Sequence, residues 1–283
     1  MNEHRDQRPL AGWRAFWNSG GWWKALIAVA GYLVIYQFAP FAFLPVIREL
    51  SDPNVFATPG SVFAAIGLPV LLGSIVLLAF AWTLGWLPRP LFARQPVGRR
   101  WWMWIAPVVV ALPIALRLYG IDYGAYGAAV IAASFASGLL IGFSEELLFR
   151  GIVVTLLRRG GHREWTVAAV SSLLFAAMHS VNILAGQPPL TVLATVGYTF
   201  AFGVIMYTVM RVTGNIVWAM LLHGLTDPST FLATGGVDAH GAGGGSGLAI
   251  ELAGPATILL VLAAVGLLAG IRGRAEPAFG PRA

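Results

Sequence analysis

The chain has 283 residues, 58% hydrophobic and 11% charged, with a mean hydropathy of +0.75. A soluble domain carries roughly 25% charged residues, so this composition excludes an ordinary soluble domain and points to a polytopic membrane protein. The lack of cysteine excludes disulfides, thiolate metal sites and a cysteine nucleophile, and the net charge of +6 is scattered over loops, a pattern of membrane orientation and not of nucleic-acid binding.

Residues 1–21 form a polar, basic tail with Trp13, Phe16 and Trp17 as interfacial anchors. Eight apolar spans follow, at about 22–47, 61–87, 101–118, 124–157, 165–181, 190–212, 215–231 and 248–271, and a short tail at 272–283 closes the chain. Sustained β alternation is absent, so the predicted fold is all-α, a transmembrane helix bundle with no barrel. The fourth span is too long for one straight crossing and must tilt, kink or extend beyond the headgroups. The first apolar run starts late and is too long for a signal-peptide core. Lys24 is the only lysine; the heavy use of arginine suits a GC-rich genome and hence a bacterial cell membrane.

The arginines alternate by side. Arg5, Arg8, Arg14 and Lys24 precede or open the first span; Arg89, Arg94, Arg99 and Arg100 lie in the second loop. Arg158, Arg159 and Arg163 lie in the fourth, Arg211 by the sixth, and Arg272, Arg274 and Arg282 in the last tail, against only Arg48 and Arg117 opposite. Positive-inside bias then puts both termini in the cytoplasm. The Gly-rich loop at 234–247 falls outside and reads as flexible. No internal repeat of the transporter kind is present.

Three apolar spans carry ionisable groups. The run G-F-S-E-E-L-L-F-R-G at 142–151 holds Glu145, Glu146 and Arg150; L-L-F-A-A-M-H-S-V-N at 173–182 holds His179 and Asn182; A-M-L-L-H-G-L-T-D at 219–227 holds His223 and Asp227. One charge at mid-membrane costs about 2.5–3.5 kcal/mol, so three within six residues call for internal pairing and a function. Glu146 and Arg150 are i,i+4 and predict a salt bridge. Glu145, about 100° round the helix, is left to face a different neighbour. Phe175, His179 and Asn182 share a face, as do His223 and Asp227. At a rise of about 1.5 Å per residue, Glu145, His179 and Asp227 reach a similar depth, roughly 20 Å, with His223 about 14 Å deep. The bland readings are a helix-locking salt bridge, a core or interfacial histidine, and an Asp227–Pro228 turn that ends its span.

E-E-x-x-x-R, F-x-x-x-H and H-x-x-x-D, in that order on successive helices, resemble the CPBP family: the CAAX proteases and bacteriocin-processing proteins, also called Abi. The resemblance covers about 137–230, within a core of 124–231 in a helical domain of 22–271. It implies an intramembrane peptidase that uses an activated water. By motif position Glu145 is the general base and His179 holds the same water. Glu146 and Arg150, with Asn182 nearby, support the site, and His223 and the residue at 227 bind the oxyanion. One water held between a glutamate and a histidine is a competent nucleophile, and donors aimed at the tetrahedral oxygen supply the other large term.

Asp227 departs from the Asn often found at that position in CAAX proteases. An ionised Asp would repel an oxyanion; it could instead be protonated, orient His223, or ligate a metal. Glu145, His179, His223 and Asp227 would suit catalytic zinc, although Glu145 and His179 suffice to hold a water without an obligatory metal. The implied partners are a membrane-associated peptide or protein substrate and the lipid bilayer. Two rival readings remain: a proton-coupled transporter with Glu145, Glu146 and Asp227 as a relay, and a non-catalytic immunity or scaffold protein of the same family.

Overall fold

The structure is a computed structural model that describes residues 7–236 and 245–275, with side chains from residue 10 onward. It is 80% helical, and no strand occurs among the described residues. A helix α1 (Gln7–Asn18) gives the N-terminal tail more order than its polar sequence predicts. Then come α2 (Trp22–Leu50), α3 (Pro59–Thr83), α4 (Trp101–Gly120), α5 (Ala128–Arg159), α6 (Glu164–Ala185), α7 (Pro189–Thr213), α8 (Ile216–Thr234) and α9 (Leu248–Gly270). The part of the 234–247 loop that falls on 237–244, and the tail from 276 on, lie outside the described residues.

Seven of these helices, α2 to α7 and α9, are long and apolar enough to cross a membrane. The chain is therefore a multi-pass membrane protein. The eighth expected span corresponds to α8, which falls short of that apolar standard while carrying His223, Asp227 and Pro228. Asp227–Pro228 does not end its helix. α8 runs on through Pro228 to Thr234, and the Gly224 carbonyl four residues back, which a proline ring crowds, lies against Gly138 of a neighbouring helix.

That neighbour is α5, and glycine controls the approach. Gly138 and Gly142 form a G-x-x-x-G pair, the spacing that lets membrane helices meet backbone to backbone. A Cβ on Gly142 would stand 2.3 Å from the Met220 carbonyl oxygen and 2.4 Å from the Gly224 nitrogen; one on Gly138 would stand 2.5 Å from Pro228 Cδ. The long fourth span resolves as a 32-residue helix with one wide π turn over Leu147–Val153. The turn begins directly after Glu146. Such bulges occur often at functional sites. Every residue in it is buried, so this half of α5 is the axis of the bundle.

Pairs α5–α8, α3–α5, α6–α7 and α4–α9 make the most extensive packings in the bundle. α2 is peripheral: in its most apolar stretch 11% of residues are buried, against 61% for α7. α7 and α8 join through a tight turn. Gly214 takes a left-handed φ of 84°, and Asn215 caps α8 by accepting from the Val217 N–H at 2.8 Å. At the same end of the bundle Arg158 grips Glu164 with two bonds of 2.9 and 2.8 Å and donates to Gln95 at 2.7 Å. Tyr207 also donates to Glu164.

Candidate active site

The close α5–α8 contact brings the acids of one helix against the histidine of the other. Glu146 and Arg150 pair as their spacing predicts, Nη1 to Oε1 at 3.0 Å, both side chains fully buried. The second guanidinium nitrogen, Nη2, donates to the Gly203 carbonyl of α7 at 2.8 Å, and the group lies 4.9 Å from the Phe175 ring centre. Burying a charge requires this degree of pairing.

Glu146 has a second partner that helical spacing alone does not predict. His223 Nδ1 lies 2.8 Å from the same oxygen, Oε1. A carboxylate accepts, so Nδ1 carries the proton in this bond. The other ring nitrogen, Nε2, then faces Glu145 Oε2 at 3.7 Å and Asp227 Oδ2 at 3.8 Å. Glu145 was expected to face a different neighbour from Glu146. Instead the two adjacent acids meet one imidazole from its two sides, because that ring stands between their diverging directions. His223 is buried, whereas the Glu145 and Asp227 side chains retain 15% and 25% of their surface. The open side of the cluster is theirs.

His179 sits at the end of the regular part of α6. Its Nδ1 lies 3.0 Å from the Phe175 carbonyl oxygen, so Nδ1 donates and Nε2 is left as the acceptor. Its link to the cluster runs through the Phe175 ring, centred 4.9 Å from His179 and 5.7 Å from His223. The F of F-x-x-x-H thus spaces the two imidazoles. The imidazole beside Glu145 is that of His223, with Nε2 3.7 Å from Oε2. Asn182 lies in the tightened turn His179–Ala185, where its backbone carbonyl accepts from the Gln187 N–H at 3.2 Å.

Four contributors escape the sequence reading. Phe202 of α7 packs its ring 4.9 Å from His223, and Gly203 supplies the carbonyl for Arg150. Tyr32 of α2 shares a 3.0 Å hydrogen bond with Ser144, the residue before Glu145. The glycines of the α5–α8 contact set the distance. Only the last had a local signal, the G-x-x-x-G spacing; the others are a backbone carbonyl and side chains of common types, remote in the chain.

A metal was one reading of the four residues Glu145, His179, His223 and Asp227. Among the described residues, no three His, Asp or Glu side chains converge as a metal-holding group. The Nδ1 bonds of His223 to Glu146 and of His179 to a carbonyl leave each Nε2 available, as such outer bonds do in metal sites. No step below runs through a metal.

Residues 127–228 match the family model described as type II CAAX prenyl endopeptidase Rce1-like. This segment is CAAX-protease-like. It contains every residue of the three motifs and lies inside the 124–231 core. The match takes in less than half of the chain and supports, at family level, a CAAX-type intramembrane protease acting on a peptide or protein within a bilayer. None of the curated proteins compared with the chain matches it.

Proposed function

We propose that this protein hydrolyses a peptide bond of a membrane-associated peptide or protein with a water activated by Glu145. The observation that carries the reading is the orientation of His223: Nδ1 fixed by Glu146, Nε2 turned toward Glu145 and Asp227. The separations of 3.7 and 3.8 Å leave these three groups within reach of one small oxygen at ordinary hydrogen-bond lengths.

In this scheme Glu145 takes a proton as the water oxygen attacks the scissile carbonyl carbon. His179 Nε2, an acceptor, holds the water's other hydrogen. Carbonyl polarisation falls to His223 as a donor at both nitrogens, Nδ1 to Glu146 and Nε2 to the developing oxyanion. Asp227 steers that ring or, when protonated, donates beside it. Glu145 then returns its proton to the leaving amine as the C–N bond breaks. Glu146 and Arg150 hold the imidazole and its helix and touch no reacting atom; Asn182 supports the end of α6.

The setting is a bacterial cell membrane, crossed eight times with α8 as the seventh span and both termini cytoplasmic; the lopsided arginine count supports this topology. The test compares the membrane-peptide profile of cells making the native chain with that of cells making Glu145→Ala at equal abundance. Precursors that accumulate uncut only in the variant are the expected result. Identical profiles, together with no cleavage of quenched fluorogenic peptides by the purified native chain, would overturn the proposal in favour of a non-catalytic member of the family.

A further inference from the structure

Apart from the acid–histidine cluster, α6, α7 and α9 leave a groove of about 350 Å³ between them. Trp165, Phe200, Val204, Val265, Leu268 and Ala269 form its wall, which is almost wholly apolar. Its size is at the lower end of small-ligand sites, ~300–1,000 Å³. It therefore suits a slender chain better than a packed helix. Trp165 lies in the first turn of α6 and Ala269 in the last turn of α9, so the groove opens at the membrane face where α6 begins and α9 ends.

Cations gather at that mouth. Arg163 immediately precedes α6, and Arg272 and Arg274 follow α9; the Glu164 N–H donates to the Gly273 carbonyl at 3.0 Å, which holds the two segments together. Arg272 Nη1 donates to the Ile271 carbonyl at 2.9 Å. Arg211 reaches in from α7, donating Nε to the Gly98 carbonyl and Nη2 to the Arg272 carbonyl at 2.8 and 2.7 Å. Arg211 is 5% exposed, and its remaining nitrogen, Nη1, is buried without a hydrogen-bond partner. Among the described residues the acid nearby is Glu164, and it is occupied by Arg158 and Tyr207. Positive-inside bias accounts for arginines at this level. It does not account for a buried guanidinium nitrogen without an acceptor beside an apolar groove.

We infer that this groove binds an anionic glycerophospholipid, one acyl chain between α6, α7 and α9 and the phosphate at Arg211, Arg272 and Arg274. Charge complementarity selects the headgroup: a net-neutral one would leave the arginine excess uncompensated, whereas a phosphodiester with no balancing ammonium offers acceptors and opposite charge together. The exposed Trp165 marks the headgroup level, as aromatic belts do. The site is independent of the peptidase reading.

The test uses the purified full chain in detergent, delipidated and then titrated with phosphatidylglycerol or with phosphatidylcholine of the same acyl chains. Native mass spectrometry reads the bound lipid, and thermal unfolding reads its effect. A one-to-one phosphatidylglycerol adduct that raises the unfolding midpoint, with phosphatidylcholine doing neither, is expected. Arg272→Gln with Arg274→Gln should weaken binding roughly thirtyfold, about fivefold per surface cation. Val265→Trp, which fills the groove and leaves the arginines, should abolish the adduct. Equal binding of the two lipids, or a phosphatidylglycerol adduct that survives both variants, would overturn the inference. Size-exclusion profiles of the variants separate lost binding from lost fold.

Discussion

Glu146 Oε1 stands 2.8 Å from His223 Nδ1, across the α5–α8 contact, while also holding Arg150 at 3.0 Å. One buried oxygen thus fixes both a cation of its own helix and the imidazole of another. The consequence is positional: with Nδ1 committed, the histidine has one direction left for its other nitrogen, toward Glu145 and Asp227. The two adjacent glutamates share a ring but not a role.

Glu145→Gln is expected to abolish peptide cleavage while insertion and folding stay intact. Glutamine keeps the size and cannot take a proton from water; loss of a general base costs about 10²–10⁴ in rate. Turnover of a cleaved peptide by the purified variant, beside its thermal unfolding, is the measurement. Near-native turnover would remove Glu145 from the reaction.

Glu146→Gln and Arg150→Gln should behave differently, lowering stability as well as activity. Removing one partner of a buried pair leaves the other charge uncompensated, at about 3–5 kcal/mol. Unfolding in detergent should therefore shift clearly downward for both variants. An unchanged midpoint for either would show that the pair contributes nothing to the fold.

Gly142→Ala tests the helix contact that sets the site. Its added Cβ would stand 2.3 Å from the backbone oxygen of Met220, and backbone cannot rotate away as a side chain can. The helices must separate, taking Glu145 and Glu146 away from His223, so activity and unfolding temperature should fall together. Gly197→Ala, where a Cβ meets nothing within 4 Å, is the matched control and should change neither.

Asp227→Asn is expected to keep much of the activity. Asparagine is the same size, offers an amide donor and brings no charge to desolvate. Elemental analysis of the native chain decides between this and a ligand role. Stoichiometric zinc that is lost together with activity in the variant would contradict the water-activation scheme.

Topology follows from single cysteines in a chain that has none. Residues 123 and 160 flank opposite ends of α5. With both termini cytoplasmic, a membrane-impermeant thiol reagent applied to intact cells should label Tyr123→Cys and spare Gly160→Cys until the membrane is opened. The reverse pattern would invert the orientation.

The sequence alone determined the class of the protein and its chemistry set. Runs of about twenty apolar residues can only be helices when no water is present to satisfy the backbone, so the spans were legible to within a few residues. Charges cost so much in such runs that Glu145, Glu146, Arg150, His179, His223 and Asp227 announced themselves, and the Glu146–Arg150 pair followed from helical geometry alone. Local periodicity says nothing about which face of one helix meets which face of another. The tertiary structure therefore decided that His223 is the histidine beside both glutamates and that Phe175 spaces it from His179. It also decided that α8 runs through Pro228. The reason is the same in each case: the controlling contacts join residues such as Gly142 and Gly224, or Tyr32 and Ser144, far apart in the chain, and spacing within one helix, even a G-x-x-x-G, does not name the partner it meets.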